Sequence, residues 1–243
     1  MTDCMSSEWF AGGRTGGGDA VEPPGSSAPA ACGDDTRTAK RVLRRHLLAA
    51  RSRLTPAEVR ATAGPLARHA LALPELAHAR TVAGYVSVGS EPATGELLTA
   101  LRDRGVRVLL PVLLPDRDLD WAVYEGPERL RATTLPGLST LSEPDGPRLG
   151  PAAVVTADVV LLPGLAVDHG GMRLGRGGGS YDRALARLAA AGATPPLVVL
   201  LHDGEVVPRV PAEPHDRRVT AAVTPSGVWR FDTADHAAPG DDG

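Results

Sequence analysis

One stretch constrains this chain more than any other: residues 158–188, DVVLLPGLAVDHGGMRLGRGGGSYDRALARL. Four aliphatic residues, Val159, Val160, Leu161 and Leu162, stop at Pro163-Gly164, which marks the end of a buried strand. A loop dense in glycine follows (Gly170, Gly171, Gly175, Gly177, Gly178, Gly179), with Arg173 and Arg176 set among the glycines. Ser180, Tyr181, Asp182 and Arg183 then open a helical pattern with Leu185 and Leu188 on one side and Gly192 as its stop.

Strand, glycine loop and helix N-terminus in that order favour an anion. Glycine lets backbone N–H groups come close to a ligand and tolerates positive φ. The first N–H groups of a helix lack intrahelical partners and lie at the positive end of its dipole. A phosphate there is stabilised by both, and Arg176 adds charge-assisted hydrogen bonds. The loop carries no Gly-Lys-Ser/Thr ending and no spaced dinucleotide fingerprint. On glycines alone, phosphate binding and a plain turn are both open. The two arginines and the adjacent Asp182 favour a site.

These same residues resemble the signature of the 5-formyltetrahydrofolate cyclo-ligases (methenyltetrahydrofolate synthetases), a Pro-Gly pair, an aspartate, and then Arg-Leu-Gly-x-Gly-x-Gly-Tyr-Tyr-Asp. Here it reads Pro163, Gly164, Asp168, Arg173, Leu174, Gly175, Gly177, Gly179, Tyr181 and Asp182, with Ser180 where the family usually has its first tyrosine.

A length of 243 residues suits one domain with a tail, and a net charge of −3 gives no basic field for nucleic acid. No apolar run reaches membrane-spanning length and no secretory signal is present, so a cytoplasmic enzyme is expected. The two cysteines, Cys4 and Cys32, are too few for a disulfide framework or a metal knuckle. Residues 1–37, rich in Gly, Pro, Ser and Ala, read as a disordered tail containing the stray pair Trp9-Phe10. The α/β domain is expected over 38–233, and a mobile tail over 234–243.

In the first ordered helix, Leu43, Leu47, Ala50 and Leu54 form an apolar face, while Lys40, Arg44 and Arg51 share another. Spacing alone favours a solvated basic face for the cations. The resemblance implies instead that Lys40 and Arg44 reach nucleotide phosphates. Thr55-Pro56-Ala57-Glu58 is a capping box that starts a scaffold helix. Thr81–Ser87, a helix capped at Thr94 and stopped at Gly105, and Val106–Leu110 form a β-loop-α-β unit. That unit places Glu91 at the carboxyl edge of a sheet, where open α/β folds bind ligands. The family's Tyr-x-Ser-x-x-x-Glu-x-x-Thr pattern matches Tyr85, Ser87, Glu91 and Thr94, and implies that Tyr85, Ser87 and Glu91 meet the reduced folate.

Leu119–Glu125 alternates like an edge strand, and 129–151 reads as loop with a Glu143-Pro144 pair given a structural role. Leu197–Leu201 and Val219–Thr224 read as strands. Between them lie His215, read as an orienting or surface group, and Asp216, which the resemblance assigns with Asp182 to a Mg²⁺ site. Thr220 stands where the family often has an acidic residue.

The expected fold is α/β: a single-domain, open, mostly parallel sheet flanked by helices, which the resemblance makes a Rossmann-like three-layer arrangement similar to sugar-phosphate isomerases and CoA transferases. The implied activity is ATP-dependent closure of 5-formyltetrahydrofolate to 5,10-methenyltetrahydrofolate, by a monomer acting on small molecules. ATP would be held by Lys40, Arg44, Arg173 and residues 175–182 (Gly175, Arg176, Gly177, Gly178, Gly179, Ser180, Tyr181, Asp182), with Arg176, Tyr181 and Asp182 catalytic. A non-catalytic folate binder and an isomerase- or CoA-transferase-like enzyme are the alternatives.

Overall fold

The computed structural model describes residues 31–134, 140–214 and 216–231, with side chains from Asp35 onward. Cys4, Trp9-Phe10, Pro136-Gly137, His215 and the tail 234–243 lie outside the described residues.

Helices α1 (Ala31–Arg51), α2 (Pro56–Ala61), α3 (Ala63–Leu71) and α4 (Pro74–Ala77) precede β1 (Thr81–Ala83), α5 (Gly95–Asp103), β2 (Arg107–Leu113) and β3 (Leu119–Val123). The hairpin β4 (Leu130–Thr133) and β5 (Leu141–Pro144) leads to β6 (Val159–Pro163), β7 (Ala166–Asp168), β8 (Arg173–Leu174) and α6 (Ser180–Ala190). Strands β9 (Leu197–Leu200), β10 (Val206–Val207), β11 (Ala221–Thr224) and β12 (Gly227–Arg230) follow.

The main sheet has the order β12-β11-β9-β6-β1-β2-β3. Its five inner strands run parallel, and the edge strands β12 and β3 pair antiparallel with their neighbours. Continuous aliphatic runs in β6 and β9 follow from burial on both faces, as parallel sheets require. On one face Leu66, Ala70, Leu97, Leu98 and Leu101 of α3 and α5 pack against Val82, Val108 and Leu161. On the other, Ala184, Leu185 and Leu188 of α6 join Val154, Val160, Leu162 and Val199. The sheet therefore lies between two helical layers.

The elements follow from local chemistry, with a few departures. Thr55 accepts the Glu58 N–H while Glu58 reaches back to the Thr55 N–H, completing the capping box. Thr94 makes no side-chain cap; its hydroxyl donates to the Tyr85 carbonyl and accepts the Ser87 N–H, fixing the loop after β1. Strand β2 runs past Pro111 to Leu113 because beyond Leu109 it pairs with β3 alone, so proline's missing N–H costs no ladder bond on the open side. The region read as loop contains the β4–β5 hairpin, and α1 starts at Ala31, inside the segment read as tail.

Helix α1 lies over a small sheet, β10-β7-β8, with Leu43 and Leu47 against Leu165, Ala166, Leu174 and Val210. Arg51 fastens its last turn. It is 2% exposed, donates from Nε and Nη2 to both oxygens of Glu205 at 2.7 Å, and donates from Nη2 to the Gly164 carbonyl at 2.7 Å. Arg51 thus departs from the solvated face expected of it. Breaking a buried ion pair from one side strands the other charge. Arg51→Met is expected to lower unfolding free energy by about 3–5 kcal/mol in urea titration, and Arg51→Met with Glu205→Leu to recover much of it.

Candidate active site

Strands β1 and β6 are neighbours, yet the chain leaves β1 towards β2 and leaves β6 towards β9. Their carboxyl-end loops therefore separate, and open α/β sheets bind ligands in the crevice so formed. A cavity of about 290 Å³ lies there. The β1 loop contributes Tyr85, Val86, Val88 and Glu91, and the β6 side contributes Pro163, Gly164, Arg173, and Gly175 to Asp182. Pro111, Leu113, Leu119, Leu141 and Glu143 make the remaining wall.

The glycine turn is built for close approach. Gly177 and Gly179 have φ of 92° and 75°, which other residues rarely adopt. Gly179 is the N-cap of α6 and, having no side chain, leaves the first N–H groups of an 11-residue helix uncapped beside the cavity. Gly164 must be glycine for packing, because a Cβ there would come within 2.6 Å of Val199.

Around this turn the cations are held in place. Arg44 donates from Nε to the Gly175 carbonyl at 2.9 Å, with its guanidinium against Gly177. Arg173 donates to the Pro163 carbonyl and to Asp182 Oδ1, both at 3.0 Å. Burial pulls the Arg173 guanidinium below its usual range, opposed by the Asp182 charge. Arg176, about half exposed, faces Glu91 across the cavity mouth with Nε 3.4 Å from Oε1. Glu91 is itself buried, and its Oε2 accepts the Val88 N–H at 2.9 Å. Burial raises its pKa, opposed by that N–H and by Arg176. Tyr85 is buried with an unpartnered hydroxyl, and burial pushes the phenols of Tyr85 and Tyr181 up.

Other expected ligands stand elsewhere. Lys40 is buried and bonds Glu213 Oε2 at 2.7 Å and Asp216 Oδ2 at 2.5 Å, outside the cavity lining. Asp216 also accepts the Glu213 N–H. Asp182 lines the cavity, and no group of three or more His, Cys, Asp or Glu suited to a metal occurs among the described residues. Ser87 does not line the cavity; it exchanges hydrogen bonds with Thr94. Asp168 is structural: its carboxylate accepts the N–H groups of Gly170, Met172 and Val210. Thr220 donates to the Leu197 carbonyl, a peg at the strand end.

Two features escaped sequence reasoning. Glu143 had only its Glu-Pro pair as a signal, and the apolar wall from Pro111 to Leu141 had none, because distant strands assemble it.

The chain matches the model of the 5-formyltetrahydrofolate cyclo-ligase family over residues 36–225. It is 44% identical to a Mycolicibacterium smegmatis protein named 5-formyltetrahydrofolate cyclo-ligase, over 60% of this chain and 74% of that one. It is 33% identical to the Escherichia coli K12 protein of that name, over 74% and 97% respectively. Among solved structures it resembles Aquifex aeolicus 5,10-methenyltetrahydrofolate synthetase, with a TM-score of 0.64 at 25% identity, covering 82% of this chain and 99% of that one.

A raised pKa means that the folded state holds the Glu91 proton more tightly than the unfolded chain, so ionised Glu91 costs stability above its ordinary 4.5. Glu91→Gln is expected to raise the melting temperature at pH 7.5, with the gain shrinking as pH falls towards 4.5 and Glu91 takes up its proton. Thermal melts of both proteins across that range measure it. Family match, relatives and cavity agree: this chain belongs to the 5-formyltetrahydrofolate cyclo-ligase family.

Proposed function

We propose that this chain closes 5-formyltetrahydrofolate to 5,10-methenyltetrahydrofolate with ATP, releasing ADP and phosphate, in the crevice between the β1 and β6 loops. One observation carries the reading. A single cavity is lined both by an amide-rich, arginine-flanked turn and by an apolar wall, with the facing pair Glu91 and Arg176 in the same lining. The turn suits phosphates and the wall suits a flat heterocycle.

The formyl oxygen of an amide-like group leaves poorly. Transfer of the γ-phosphoryl to it creates a leaving group, N10 then attacks the formyl carbon, and phosphate departs as the ring closes. Phosphoryl transfer asks chiefly for positioning and neutralisation of charge. The open N–H groups at the start of α6, with Arg176 and Arg44, serve the phosphates. Arg173 holds Asp182 at the helix start. Tyr181 remains neutral and offers a hydroxyl hydrogen bond, Tyr85 lines the cavity with its hydroxyl sealed in protein, and Glu91 orients the substrate. Lys40 ties α1 to the loop before β11 through Glu213 and Asp216.

Mg²⁺ would supply charge neutralisation at the phosphate oxygens. Asp182, in the cavity lining, would hold the ion together with phosphate oxygens and water, since Mg²⁺ needs only one or two carboxylates, whereas Asp216 pairs with Lys40 outside that lining. A cytoplasmic monomer with its catalytic domain at 38–233 completes the proposal. No helix among the described residues is long and apolar enough to cross a membrane.

The test measures ADP release dependent on 5-formyltetrahydrofolate together with the methenyl chromophore. A folate binder without turnover gives affinity and no ADP, and an isomerase- or CoA-transferase-like enzyme gives neither signal. Arg176→Ala is expected to lower kcat/KM on the order of 100- to 1,000-fold, the scale of one lost donor to developing charge, and to lower the melting temperature because buried Glu91 loses its ion partner. Full turnover by that variant overturns the phosphate assignment.

A further inference from the structure

The cavity holds a second buried carboxylate that the mechanism above does not use. Glu143, in β5, is 5% exposed and lies in the wall with Pro111, Leu113, Leu119 and Leu141. Its Oε1 accepts the Leu113 N–H at 2.8 Å. Among the described residues, no ion pair engages Glu143 and no hydrogen bond engages its Oε2. The side-chain atoms sealed in protein without a partner are Arg51 Nη1, Tyr85 Oη and Trp121 Nε1, so Oε2 still has an open side.

A carboxylate against apolar walls loses hydration, and without a cation it recovers little of that loss. Glu91 differs, because Arg176 and the Val88 N–H already engage both its oxygens. Of the two buried acids in the cavity lining, Glu143 is therefore the one with acceptor capacity to spare. A ligand that satisfies it must be flat enough for the apolar wall and must present neutral N–H donors along one edge. The reduced pteridine of the substrate does so: its 2-amino group and the neighbouring ring N3–H point the same way, and a planar carboxylate accepts such a pair.

We propose that Glu143 is the specificity-determining residue for the pteridine ring, its carboxylate accepting the 2-amino and N3–H donors while Glu91 and Arg176 meet the formyl end. The proposal rests on the cyclo-ligase reading. It assigns recognition to the β4–β5 hairpin and not to the glycine turn.

The experiment uses the full chain, its Glu143→Gln variant, and two substrates: 5-formyltetrahydrofolate and its 2-desamino analogue. Sites built to bond a polar group reject analogues that lack it. The unmodified chain is expected to show a KM for the analogue about 10- to 100-fold above that for the parent, the scale of one lost hydrogen bond to a charged group. Glu143→Gln is expected to raise KM for the parent by a similar factor, leave KM for MgATP within about twofold, and treat parent and analogue nearly alike. A residue that merely staples the hairpin through Leu113 would alter melting without changing that discrimination. The analogue arm needs only the unmodified chain, so it decides the matter even if the variant fails to fold. Turnover of the parent without discrimination against the analogue overturns this proposal alone; no turnover of the parent by the unmodified chain overturns the cyclo-ligase reading with it.

Discussion

The turn at Gly164 is where the molecule is tied together. Its carbonyl accepts Arg51, whose guanidinium also grips Glu205, so the end of α1, the end of β6 and the loop after β9 meet at one buried ion pair. The glutamate is held in turn by the His202 N–H, and the His202 ring bonds the Ser90 carbonyl, one residue before Glu91. Helix α1 is thereby fixed at one end. Arg44 and Lys40 lie two to three turns upstream, about 10 and 16 Å along the axis at 1.5 Å per residue. A helix anchored so firmly delivers Arg44 to the glycine turn without a search, and Lys40 to Glu213 and Asp216.

Charge around the cavity is arranged by the same logic. Arg44 and Arg173 are bonded to the Gly175 carbonyl and to Asp182, which holds both ends of the turn, while Lys40 is spent on Glu213 and Asp216. Arg176 alone of these arginines is half exposed, and its partner Glu91 is a buried acid that gives up stability to stay ionised. Preorganised donors cost no rearrangement when charge develops on a transferring phosphoryl group, which is what such a site requires. Asp168 sits beneath this arrangement, gathering three backbone N–H groups so that the Gly170-Gly171 turn leads into β8. It builds the loop that carries the arginines.

Much of this was legible in the chain itself. The aliphatic runs of β6 and β9, the capping box at Thr55, the glycine at the end of α5 and the 175–182 turn are local chemistry, set by periodicity, caps and turn residues. The position of Glu91 followed from a β-loop-α-β unit whose carboxyl edge is predictable. The fate of Lys40 and Arg51 did not follow. On a helical wheel both look solvated, and only partners 173 and 154 residues downstream show that one grips Glu213 and the other Glu205. Ser87 and Asp168 carried family motifs yet serve the backbone, accepting the N–H of Thr94 and those of Gly170, Met172 and Val210, as short polar side chains beside turns do.

The sequence alone determined the main parallel strands, helices α1, α2, α5 and α6, the glycine turn and the family, because each depends on residues close together in the chain. Tertiary structure decided the cavity's apolar wall, where Pro111, Leu119 and Glu143 come from three strands, and it decided which ionisable groups are buried and paired. Such burial depends on contacts between segments far apart in the chain, and no local pattern encodes the partner.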